Sequence, residues 1–524
     1  TDFVNGDTVT FGSNTTTATL TSDVTVASLT MNTADHTLDG SNTLTNNGAL
    51  SISGAFVQTL NVAGEHGAIS VGVGSTLALN NTNALGSGTG TISMLGSASL
   101  LRFDFDANNL STARPISITA AGAVTARLTT NNPNTFVTLS GAITGGSSTG
   151  ALTKSGSGTV ELTGTAGWSS FTRIGDSSVA ELPGENVLRV SALPNTNLRL
   201  NQGGILEWNG STFSRTYGTG GTAFYVEDAA GNGAGFAAGQ SSGLTVSANI
   251  NFGTTNTTQW VGPMYFGTAL STATGKLTMS GTLAVTASVT VPQTLHVFNG
   301  ASAGAASSAR INTLNSSLNP GFTFVKAGPG ALFVVNGSYG ATRATMRVSE
   351  GAYEVGPTTL NATGNIEIPS GATNAVVRQE SSVAATTCPD FAPAPAANFE
   401  IEAAGTGTFT LGVLDISSRT VTLSGSGTGV KSSTSGTGAG RYVKTGTGSW
   451  ELAYAYADLS AGFTGGVEVQ AGQIKASKRY ALGGGPVALK AGQLRFTDTT
   501  TTIGSIASLS TVGQTSTPRI ILGA

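Results

Sequence analysis

The 524-residue chain carries a formal net charge of −3, with charged residues at 10% and hydrophobic residues at 39%. Charge this sparse, with no basic stripe, excludes a nucleic-acid-binding surface, and no apolar run approaches the ~18 residues of a membrane span. The apolar content is sufficient for a core, so low charge does not imply disorder.

The start shows no positively charged stretch followed by an apolar run, so a signal peptide is expected to be absent or already removed. From there, short alternations of apolar with small or polar residues follow one another: Val24-Thr25-Val26, Leu29-Thr30-Met31, Leu50-Ser51-Ile52, Val71-Gly72-Val73 and Leu77-Ala78-Leu79. They continue through Val160-Glu161-Leu162, Leu198-Arg199-Leu200, Leu283-Ala284-Val285, Val289-Thr290-Val291, Ile366-Glu367-Ile368 and Val467-Glu468-Val469. A period of two is the strand signal, and no window sustains a helical period. Clusters of Gly, Asn, Ser and Thr separate the runs, as turns require. Three stretches break the rhythm and predict loop insertions: Gly-rich 218–243, 381–399 with Pro389, Pro393 and Pro395, and 432–440. Prolines remove ladder donors, so the second cannot be a central strand.

One phrase recurs at long range. Lys154-Ser155-Gly156-Ser157-Gly158, Lys326-Ala327-Gly328-Pro329-Gly330 and Lys444-Thr445-Gly446-Thr447-Gly448 each lead into an alternating strand. Aligned, they put Val160, Leu332 and Trp450 at one inward position and Leu162, Val334 and Leu452 at the next. Phe333 stands at an outward position held elsewhere by Glu161 and Glu451. Ala84-Leu85-Gly86 and Ala481-Leu482-Gly483 open a second repeated phrase. Internal similarity of this kind marks a stack of equivalent turns.

The fullest copy runs from Lys444 through Phe463-Thr464-Gly465 and Val467-Glu468-Val469 to Gly472-Gln473-Ile474. It resembles the autotransporter-associated β-strand repeat of bacterial surface proteins. The copy at Lys326 is looser, and that at Lys154 departs after Gly164, where Trp168 and Phe171 replace the family's Tyr-Thr-Gly. The resemblance implies an all-β fold, an elongated right-handed parallel β-helix (solenoid), exported to the cell surface. One continuous β-helix over 1–524 at roughly 20–25 residues per coil would make about 21–26 coils.

Reactive side chains are few. Cys388 is the lone cysteine, which excludes an internal disulfide, and His36, His66 and His296 stand far apart. Cys388 is expected to be an incidental thiol; the alternative is a reactive or cross-linking one. Arg102, Asp104 and Asp106 share one face of a strand and Phe103 and Phe105 the other. The expected role is a solvated ion pair; the alternatives are a Ca²⁺ site or an acid/base pair. Glu227-Asp228 is a weaker pair, placed on a loop. Gly483-Gly484-Gly485 lacks the Asp of a calcium-binding nonapeptide. The lysine phrase lacks the helix and the Gly-Lys-Ser/Thr of a phosphate loop. Trp208 and Trp450 fall on apolar faces, whereas Trp168 and Trp260 are the residues on which a glycan would stack. The sequence therefore assigns no catalytic or metal-binding residue, no ligand site and no cofactor.

The function expected is an extracellular structural or adhesive protein of a bacterial cell surface, not an enzyme. A glycan-binding adhesin is the alternative, with a polysaccharide lyase or hydrolase behind it. Asp2-Phe3-Val4 and Ile520-Ile521-Leu522 read as uncapped ends. They predict head-to-tail self-association into a filament or sheath. The partners expected are a second copy, glycans or other surface proteins, with no nucleic acid and no membrane span.

Overall fold

Alternation with period two gives each short strand an apolar and a polar face, and glycine-rich corners turn the chain so that the apolar faces meet. The structure, a computed structural model, describes residues 5–105, 109–119, 124–145, 150–176, 182–227, 231–255, 258–270, 275–287, 289–298, 308–315, 321–338, 344–356, 364–382, 385–416, 418–458, 462–497, 505–509 and 519–522. Every regular element among them is a β-strand, paired in parallel, and the fold matches a right-handed parallel β-helix of about 19 turns. Turns are fewer than expected because corners lengthen. Register partners stand 20 residues apart at Thr8 and Ser28 but 30 apart at Ile205 and Gly235. The chain divides into two compact units, the first Thr1–Leu277 and the second Thr278–Asn299 with Ala306–Ala524.

The first unit shows the stacking rule plainly. One ladder runs Val9, Leu29, Leu50, Ile69, Ile92, Ile116, Ile143, one residue per turn. The neighbouring column reads Thr10, Thr30, Ser51, Ser70, Ser93, Ser117, Thr144. From Leu29 onward the aliphatic column is buried, each side chain contributing about 1.5–3 kcal/mol. Outward positions need only be small and polar, which accounts for hydroxyls in place of charge. A second wall stacks strands from Thr16–Thr19 to Phe224–Val226. A third begins with Val24–Val26, Thr43–Asn46 and Ala63–His66.

In the second unit one wall stacks Gln293–Val297, Thr323–Ala327, Thr345–Val348, Asn365–Glu367 and Asp390–Phe391. Another runs from Ser308–Asn315 to Ser505–Leu509, and a third from Thr386–Cys388 to Arg519–Leu522.

The recurring lysines stand on inward columns, between aliphatic neighbours. Lys154 lies between Leu128 and Ile174, Lys326 between Leu295 and Val348, and Lys444 between Leu423 and Val469. All three are fully buried. The glycine two residues on has positive φ, 74° at Gly156, 74° at Gly328 and 68° at Gly446, which favours glycine. The corner's carbonyls then receive the amine. Lys154 donates to the Ser155 and Gly156 carbonyls and to Asn186, Lys326 to the Ala327, Gly328 and Glu350 carbonyls, and Lys444 to the Thr445 and Gly446 carbonyls. The motif is a stem that packs like an aliphatic residue and a tip that satisfies a buried corner. Lys431, between Leu411 and Leu452, does the same for the Ser433 and Thr434 carbonyls. The inward positions Val160, Leu332, Trp450, Leu162, Val334 and Leu452 are all buried. Phe333, outward in the alignment, is covered by the Arg310 guanidinium 5.0 Å from its ring centroid.

Two of the expected insertions are corrected. Within 218–243, Phe224–Val226 pairs with Leu198–Leu200, and Ala234–Ala238 pairs with the strands on either side of it. Its glycines serve close stacking: a Cβ on Gly235 would meet the Tyr265 carbonyl oxygen at 2.2 Å. Within 381–399, Thr386–Cys388 pairs with Phe409–Leu411, and Asp390–Phe391 with Asn365–Ile366. The first opens its sheet and the second closes another, so the prolines sit where ladders end and no donor is missed. The third stretch, 432–440, joins Thr428–Lys431 to Arg441–Lys444 as a packed corner. Its Ser435 is buried and hydrogen-bonds Tyr442, Tyr454 and Tyr456.

Lys326→Met keeps the stem and strips the amine from three carbonyls. A loss of about 2–3 kcal/mol is expected on urea unfolding; an unchanged midpoint would mean that the corner needs no donor. Burial lowers Lys326 and Lys431 to about 7 and Lys444 to about 8, from 10.5. Between pH 7 and 9 the unfolded chain therefore holds lysine protons that the folded chain has released, and stability rises with pH across that window. Above it the Cys388 thiol and Tyr442 phenol, both pushed up by burial, act in the opposite sense. Urea midpoints at the two pH values read the sign directly.

Candidate functional site

The candidate acidic group resolves into an ion pair. Arg102 donates from Nε to Asp104 at 2.7 Å, and Asn131 donates to the other Asp104 oxygen at 2.6 Å. Asp106 and Asp228 lie outside the described residues. Phe103 and Phe105 are buried, as the alternation requires. Glu227 bridges Arg173 at 2.7 Å and Arg199 at 3.0 Å, and Arg199 lies 3.7 Å over the Phe171 ring. Here the charges stand on successive turns and neutralise one another.

Each histidine is tied into the stack. His36 bonds Thr16 at 2.9 Å across one turn, and His66 bonds the Ala84 carbonyl. Burial pushes His66 down to about 4, and burial beside Lys326 does the same to His296. Next to His66, the buried Arg114 donates to the carbonyls of His66, Gly67, Leu85 and Gly90, drawn from two successive turns. Cys388 is buried and its thiol is pushed up by burial, then by Asp390. A reactive, cross-linking thiol is therefore not what this position offers.

The tryptophan expectations invert. Trp168 and Trp260, the residues expected to meet a glycan, are buried and donate inward, to Thr172 at 3.0 Å and to the Pro263 carbonyl at 3.2 Å. Trp450 is buried as expected. Trp208, expected to point inward, is the partly exposed one. Glu207 beside it is fully buried and pairs with Arg189 at 2.8 Å, so alternation fails locally. Trp208 is held edge-on to buried Phe213, with ring centroids 5.4 Å apart.

Trp208 walls a hollow of about 480 Å³ in the first unit. The topology explains it. The wall that carries the Leu29–Ile143 column ends at Ala166–Gly167, and Thr212–Phe213 later opens a new sheet. Between them in chain order, 191–196 forms no strand. Arg215 replaces the missing ladder, donating to the carbonyls of Leu193, Pro194 and Thr196. Ser191, Asn195, Thr212 and Ser214 line the rest. The sequence signal for this site was Trp208-Asn209-Gly210: a Cβ on Gly210 would lie 2.5 Å from the indole nitrogen, so the glycine gives the ring room.

Comparison with protein-family models, with curated proteins and with solved structures finds no match for this chain. The class of protein that the fold defines is thus the parallel β-solenoid.

Of the four tryptophans, Trp208 alone is open to solvent. Trp208→Phe should remove the acrylamide-quenchable part of the native emission. Strong quenching that survives this substitution would mean that a buried indole is reachable.

Proposed function

We propose that the chain is a non-catalytic structural and adhesive protein of a bacterial outer surface, a β-helical passenger of the kind its lysine–glycine repeat resembles. The observation that carries this reading is the outward Thr10–Thr144 column of hydroxyls over an aliphatic column, repeated turn on turn. Such a surface is solvated without presenting charge. Of the 24 Lys and Arg that a trypsin-like protease would seek, five, Lys154, Lys326, Lys431, Lys444 and Arg114, are buried. Both properties suit a protein standing outside the cell. Head-to-tail polymerisation into a filament or sheath belongs to the same proposal, because parallel ladders join through backbone alone wherever an outer edge is open.

Antibody raised against the purified chain should label intact cells of the source bacterium. Labelling that appears only after lysis would overturn the reading. A glycan-binding adhesin is the second reading, favoured by the Trp208 hollow.

A further inference from the structure

We propose that the hollow between Trp208 and Arg215 binds a carboxylated sugar, a uronic or sialic acid unit of a surface glycan. The inference deepens the adhesive reading and rests on it. Sugar sites combine an aromatic wall, against which the apolar face of a pyranose lies, with short polar groups for its hydroxyls. Here Trp208 is that wall, fixed by its edge contact with Phe213. Ser191, Asn195, Thr212 and Ser214 supply hydroxyl and amide groups, and all four are exposed. A volume of about 480 Å³ falls within the range of small-molecule sites and suits one or two sugar rings.

Arg215 sets the charge of the ligand. Three backbone carbonyls hold its guanidinium in place, and no carboxylate among the described residues neutralises it. Elsewhere in this unit the arginines along the outer face have their acid: Arg102 has Asp104, Arg127 has Asp176, Arg189 has Glu207, and Arg173 and Arg199 share Glu227. The cation in the hollow is left for a carboxylate from outside. A gap in the wall that carried the Leu29–Ile143 column, bridged by Arg215, thus becomes a built recess with a stacking face, hydroxyl partners and one fixed positive charge.

Isothermal titration of the full chain with trigalacturonate and with sialyllactose tests this, using the methyl-esterified trimer and lactose as neutral counterparts. Saturable binding of at least one acidic probe is expected, weakened by about tenfold or more in Trp208→Ala and in Ser214→Trp, which fills the recess. The neutral counterparts should bind correspondingly less. Ser214 is exposed, so Ser214→Trp keeps the test valid even if Trp208→Ala destabilises the fold. No saturable binding of either acid at millimolar concentration overturns the proposal. So does binding that survives both substitutions, or equal affinity for acid and neutral forms. Loss of binding with cell labelling intact removes this site alone, whereas loss of labelling removes the surface reading and leaves a measured affinity standing.

Discussion

Every strand in this molecule bonds sideways to its equivalent one turn away, and that single constraint orders the rest. A residue on an inward column meets, 18 to 33 positions along the chain, another residue that must also fit the interior. Aliphatic residues stack on aliphatic ones and hydroxyls on hydroxyls, because a mismatch would recur against both neighbours. Polar groups enter the interior only with partners already in place. The buried lysines meet that condition by ending at corner carbonyls, and Arg114 by ending at four. In each case the amine or guanidinium is held by corner oxygens, chiefly backbone carbonyls, and not by an opposing carboxylate.

The same constraint explains where irregularity is allowed. A ladder can be interrupted only where a sheet begins or ends, and both atypical regions are of that kind. The prolines around Cys388 fall where one sheet closes and another opens. The recess beside Trp208 falls where one wall has lapsed and its successor has yet to start. Groups that would otherwise be orphaned at these places are taken up locally, by Arg215 at the recess and by Asp390, which accepts the Val413 amide, beside the prolines.

Strand type and inward positions were legible in the sequence, because a period of two is a local property. Val160, Leu332 and Trp450 could be placed from alignment alone, and all three are buried. Glycine was the harder letter. At Gly156 it marks a left-handed corner, while at Gly235 it marks a strand too close to its neighbour for a side chain, and composition does not separate the two. Proline was misjudged for a related reason: whether Pro389 breaks a ladder depends on whether that strand is the last of its sheet. The burial of Lys154, Lys326 and Lys444 was hidden by their charge, although their place at the end of an alternating run was in plain view. Trp208 escaped because alternation predicts a face and not a boundary between walls.

Solenoid turns touch only their nearest neighbours, so such a stack can fray by shedding one layer at a time. Arg114 forbids this where it stands. Its guanidinium reaches past the adjacent layer, at Leu85 and Gly90, to the next one, at His66 and Gly67. Three layers are thereby riveted together and must come apart in concert, which makes this segment a natural stop for mechanical peeling and a foothold from which a frayed stack can rewind.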